Sequence, residues 1–167
     1  MVTTSTIEQK KIWQILSSVT DPEVPVLSIL DLGIVRDVKI NGDEVEVIIT
    51  PTYTGCPAMD MIAMNIKLAL IANGYYNIKI TLVLSPAWTT DWMSEEGKRK
   101  LKEYGIAPPN PKQQGCNDKL FAEAEELQCP HCNSYHTYRI SEFGSTACKA
   151  LYKCNDCKEP FDYFKCH

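Results

Sequence analysis

At 167 residues the chain has room for one ordinary domain and one small module. A composition 44% hydrophobic and 23% charged excludes a disordered chain. The net charge of −4 argues against a general nucleic-acid binder, and no apolar run reaches the ~18 residues of a membrane-spanning helix.

The N-terminus, MVTTSTIEQKK, lacks the apolar stretch of a secretory leader, so a cytoplasmic protein without membrane attachment is expected. Ser5-Thr6-Ile7-Glu8 has the form of a capping box, and Ile12, Ile15, Leu16 and Val19 form one apolar stripe. A first helix ending near Ser18 follows. The Asp- and Pro-rich stretch TDPEVPVLSILDLG reads as a loop with one helical turn at most. IVRDVKINGDEVEVIIT reads as a β-hairpin, with Asn41-Gly42 supplying positive φ at the turn and Val45, Val47 and Ile49 on one face.

Next comes TPTYTGCPAMDM, where Cys56 stands between Gly55 and Pro57 at the mouth of a helix that Gly74 ends. Pro57 suits the first helical position, which places Cys56 at or beside the N-cap. The positive end of the helix should favour its thiolate, the form that binds metal or attacks electrophiles. NIKITLVL then predicts a third strand, and TTDWMSEEGKRKLKEYG a third helix. The α-β-β-α-β-α order predicts an α+β domain, residues 1–107, with a small three-stranded mixed sheet covered by helices. The Pro-rich APPNPKQQG opens a linker, residues 108–128, with a separate module from residue 129 on.

Six of the eight cysteines fall between Cys129 and Cys166. Cys129-Pro-His-Cys132 and Cys154-Asn-Asp-Cys157 are two C-x2-C pairs separated by 21 residues, the pattern of a zinc ribbon. Two such turns complete a tetrahedron around one ion. A module this small needs the metal to fold. Structural zinc at Cys129, Cys132, Cys154 and Cys157 is the expectation, with iron the main competitor for four thiolates. Strands are expected in YHTYRI, TACKALYK and FDYFK. His131, His136 and His167 are read as bystanders and Cys148 as a core residue; Cys116 and Cys166 receive no role.

The ordered set D-P-E-x-P (Asp21 to Pro25), D-L-G-I-V (Asp31 to Val35) and G-C-P at a helix start resembles the iron–sulfur assembly family that includes SufT. PAWTTDWMSEEGKRKLKEYGIAPP, joined to a ribbon with SEFGSTACKALYKC and CKEPFDYFKC, is similar to one branch of it, the PaaD-like proteins of bacterial phenylacetate degradation. The resemblance implies a maturation protein and not an enzyme. Its clients would be components of phenylacetyl-CoA epoxidase, an enzyme with a di-iron oxygenase and a reductase carrying flavin and a 2Fe–2S cluster. The family's functional cysteine maps onto Cys56 and its acidic motif onto Asp21 and Glu23, with a transient iron or iron–sulfur cluster as the cargo. Thr54 stands where many members have proline.

One thiolate cannot hold a cluster alone, so the site would be shared across a homodimer or with a client. Against this stand plainer roles: Asp21 as a turn residue beside Pro22, and Cys56 as a buried small side chain. Asp31 reads as a turn residue, and Trp88 and Trp92 as packing at a helix start. Three other functions compete. A nucleic-acid-binding ribbon is disfavoured by its charge of only +1 and by the acidic linker before it. A thiol enzyme using Cys56 lacks any histidine in residues 1–107 to serve as base. A structural subunit of the epoxidase is the third.

Overall fold

The computed structural model describes residues 3–109 and 127–165. They form two compact units. The first runs to Trp88 and takes in Trp92–Ser94; the second comprises Thr89–Asp91 and the described residues from Glu95 on.

In the first unit, helix α1 (Thr3–Leu16) is followed by strands β1 (Val35–Asn41) and β2 (Glu44–Ile49), helix α2 (Ala58–Ala72) and strand β3 (Asn77–Leu82). The sheet order is β1-β2-β3, with β1 antiparallel and β3 parallel to β2. This is the mixed three-stranded sheet the sequence predicts. Parallel pairing of β2 and β3 requires a crossover, and α2 supplies it. Val45, Val47 and Ile49 are buried in alternation, and Ile12 and Leu16 of α1 and Ile62, Ile66 and Leu70 of α2 complete the core.

Two local expectations change. Helix α1 already begins at Thr3, so Ser5 lies inside it and not at its cap. Asn41 ends β1, and Gly42 alone brings positive φ (65°) to the hairpin turn.

The loop from Thr20 to Ile34 is ordered by its acidic residues. Asp21 Oδ1 accepts the N–H groups of Glu23 and Val24 (2.7 and 2.8 Å), which turns the chain so that Val24 and Leu27 are buried. Asp31 does more than shape a turn. Its Oδ2 accepts from the N–H and hydroxyl of Ser28, and its Oδ1 accepts from the Ser94 hydroxyl 63 residues later. Trp88 donates from its indole to the Leu32 carbonyl, and the Arg36 guanidinium sits 3.6 Å over the Trp92 ring. Gly33 has φ 68°, and a Cβ there would lie 2.4 Å from the Trp92 carbonyl oxygen, so only glycine fits D-L-G at this place.

In the second unit a 3-10 turn (Thr90–Trp92, shared with the first unit) precedes helix α3 (Glu95–Glu103) and a two-residue strand, β4 (Ile106–Ala107). Strands β5 (Thr137–Ser141), β6 (Lys149–Cys154) and β7 (Pro160–Phe164) fall in the three stretches given strand character above. Their sheet has the order β4-β7-β6-β5. The parallel pairing of β4 with β7 is not foreseen from the sequence. Ala107, Leu127, Cys129, Ala150, Tyr152, Cys154, Phe161 and Tyr163 make its small core.

Candidate functional site

Two separate cysteine sites emerge. The first is built by the two C-x2-C turns. Cys129, Cys132, Cys154 and Cys157 place their four sulfurs within 4.8 Å of one another. The Cys129–Cys157 and Cys132–Cys154 sulfur pairs are 3.7 and 3.6 Å apart. A tetrahedron with metal–sulfur bonds of about 2.3 Å has edges of about 3.8 Å, so the cage is already the size of a zinc site.

Both turns use one device. The residue after the second cysteine, Asn133 in one and Lys158 in the other, has positive φ (61° and 66°) and folds the chain back over the metal side. Cys129 N then donates to Ser134 O, and Cys154 N to Glu159 O. Neither residue is glycine, so the sequence gives no hint of this shared backbone.

The thiols also show why the cage needs a cation. The Glu159 N–H favours a Cys157 thiolate, yet burial and the sulfurs of Cys132, Cys154 and Cys129 push this thiol up to about 12. Burial raises Cys154 as well, but N–H groups of Cys157 and Asp156 and the sulfurs of Cys132 and Cys157 bring it down to about 7. Four thiolates this close do not ionise together without a metal to hold them. With all four positions taken by protein, a zinc ion here supplies folding energy and has no open position for chemistry.

His131 and His136 are exposed and lie outside the four-sulfur group; the His136 ring faces Asp156 at 3.3 Å. Cys148 is buried, as expected of a core residue. Cys116, Cys166 and His167 lie outside the described residues.

The second site is Cys56. Its N–H donates to the Tyr53 carbonyl (3.2 Å), closing a turn over Thr54 and Gly55. Gly55 has φ 81° while Thr54 keeps a negative φ, which makes this a type II turn with glycine where that type requires it. Thr54 therefore occupies the position that proline fills most comfortably, and the turn forms without it. Pro57 is the N-cap residue of α2, so Cys56 lies one position before the cap.

The Cys56 side chain is half-buried. The Ala58 N–H at the helix mouth and the side chains of Tyr53 and Thr52 lie near enough to its sulfur to favour the thiolate. The expected thiolate does not result. Burial pushes the Cys56 thiol up, against the Ala58 N–H, and the negative charge of Glu23 pushes it further. Helix-end stabilisation is present but smaller than the cost of desolvating the anion.

Of the sequence-predicted residues, Glu23 is thus brought within electrostatic reach of Cys56. Asp21 Oδ1 is engaged in holding the loop that carries Glu23. Thr52 and Tyr53 escape a reading of the sequence. The only signal for them is their place in the polar run before G-C-P.

The PaaD zinc beta ribbon domain matches residues 113–165, and the iron–sulfur cluster assembly protein family matches residues 9–74. A protein of Escherichia coli (strain K12), named as a putative subunit of 1,2-phenylacetyl-CoA epoxidase, is 51% identical over 156 residues, covering 93% of this chain and 92% of that one. An "Fe-S protein maturation auxiliary factor" of Porphyromonas gingivalis (strain ATCC BAA-308 / W83) is 36% identical over 95 residues, 56% of this chain and 90% of that one. Among solved structures, a domain of unknown function, DUF59, from Bacillus anthracis superposes with a TM-score of 0.57 at 28% identity. It covers 60% of this chain and 97% of its own.

Proposed function

The chain belongs to the iron–sulfur cluster assembly proteins that end in a PaaD zinc ribbon, and from that premise we propose that it matures the metal centres of a phenylacetyl-CoA epoxidase. It is an accessory protein and not the catalyst. The observation that carries the reading is Cys56: a half-buried thiol at a helix mouth, with the Ala58 N–H, Thr52 and Tyr53 near its sulfur and a carboxylate within electrostatic reach.

The raised pKa suits a carrier. At neutral pH the thiol keeps its proton and resists oxidation and alkylation. Iron or a cluster, arriving as cargo, displaces that proton because a bound cation favours the thiolate. Glu23 then partners the positive charge, and Asp21 holds the Glu23 loop in place. A cluster ordinarily takes four protein ligands, so the remaining ones come from the client, and the cargo is not retained. The zinc ribbon keeps its own ion throughout and offers the client a folded surface. The work is done in the cytoplasm, where thiols stay reduced. Nucleic acid is not a partner, given the ribbon's charge of +1.

Iron, zinc and sulfide analysis of anaerobically purified protein tests this. Wild type should carry zinc and take up iron, while Cys56→Ser should keep its zinc and take up none. Equal iron in both proteins would overturn the carrier role of Cys56. The name of the E. coli relative supports a second reading, a structural component of the enzyme; stoichiometric co-purification with the mature epoxidase would favour it.

A further inference from the structure

Helix α2 is apolar on two faces. Ile62, Ile66 and Leu70 face the core, but Met61, Met64, Leu68 and Ile71 are exposed at 53, 56, 56 and 43%. At 100° per residue these four form one stripe along the side away from the sheet. A helix apolar all round is normally covered on both sides. Its only charged residues, Asp60 and Lys67, are exposed and lie together on one flank of the stripe. Among the described residues neither has an ion-pair partner.

We propose that this stripe is a homodimer interface, in which α2 packs antiparallel against α2 of a second copy. The charges select both the occupant and its direction. An antiparallel two-fold brings like flanks together, so Asp60 of one copy meets Lys67 of the other, twice. Matching those pairs puts the axis beside Met64. Met64 then packs on its own counterpart, and Met61 lies beside Leu68 of the second copy. A parallel pair would set Asp60 and Lys67 against the opposite flank, Met61 and Asn65, and leave both charges unpaired. Antiparallel packing also sets the two Cys56 residues about 23 Å apart along the helices, at 1.5 Å per residue. No cluster bridges them, and each copy serves its own client.

Four apolar side chains per copy make a small interface, so the dimer should dissociate in the micromolar range. Sedimentation velocity of the full-length, zinc-loaded protein in reducing buffer, over a concentration series, tests this. Wild type should show a monomer–dimer equilibrium, and Met64→Glu should be monomeric. Asp60→Lys and Lys67→Asp should each weaken association by about tenfold, since each replaces two attractive pairs with two repulsive ones. The double variant Asp60→Lys/Lys67→Asp restores the pairs and should return to near wild-type affinity. A monomeric wild type at all concentrations would overturn the proposal. So would a double variant as weak as the single ones.

Discussion

The turn that presents Cys56 makes a prediction of two opposite signs. Gly55 has φ 81°, and a Cβ built on it meets nothing within 4 Å. Gly55→Ala therefore carries no steric overlap, only the cost of holding an L-residue in the left-handed region, about 1–2 kcal/mol. The stiffer unfolded chain returns part of this, leaving a net loss of about 1 kcal/mol. Thr54 occupies the second position of a type II turn, where the fixed φ of proline fits and the donated N–H belongs to Cys56. Thr54→Pro should stabilise by about 0.4–1 kcal/mol, chiefly by restricting the unfolded state. All three tryptophans, Trp13, Trp88 and Trp92, belong to the first unit, so urea unfolding followed by tryptophan fluorescence reports on the unit that carries the turn. With an m-value of about 2 kcal/mol/M, the midpoints should move in opposite directions by up to about 0.5 M. If Thr54→Pro lowers the midpoint as Gly55→Ala does, the turn is not type II and the described presentation of Cys56 is wrong.

Other consequences follow from the same geometry. Cys154→Ser removes one corner of the zinc cage, so hydrogen exchange should show loss of protection in β5, β6 and β7, and in β4 through its pairing with β7, while β1–β3 stay protected. Retained protection in β6 would remove Cys154 from the ligand set. Gly33→Ala drives a methyl group into the Trp92 carbonyl at positive φ and should cost about 3 kcal/mol in thermal or urea unfolding. Cys56 alkylation, read peptide by peptide, should rise only at pH above the usual cysteine range, because burial and Glu23 disfavour the thiolate. Glu23→Gln removes one of those two causes and should shift the profile to lower pH; an unchanged profile would place Glu23 away from the sulfur.

Much of the molecule is legible in its sequence because the decisive signals are local. Two C-x2-C pairs fix a cage by spacing, and alternation in Val45, Val47 and Ile49 fixes which face of β2 is buried. Parallel pairing of β2 and β3 follows from the helix between them. What escapes is set by distance or by competing effects. β4 is two residues long and pairs with a strand more than 50 residues later, which no periodicity reveals. The Asp31–Ser94 hydrogen bond has the same character, so a turn residue proves to be a long-range clasp. The expectation of a Cys56 thiolate fails because the sequence displays the helix end but not the burial that outweighs it. Asn133 and Lys158 take left-handed conformations that composition alone assigns to glycine.

The central claim is that Cys56 delivers metal to a client while the ribbon's zinc only supports the fold. Co-expression of the phenylacetyl-CoA epoxidase components with wild type or with Cys56→Ala tests it most directly, with iron content and epoxidase activity measured on the purified enzyme. The account predicts a folded, zinc-containing variant that leaves the epoxidase poor in iron and inactive. A fully loaded, active epoxidase matured by Cys56→Ala would contradict it and return Cys56 to the role of a packed side chain.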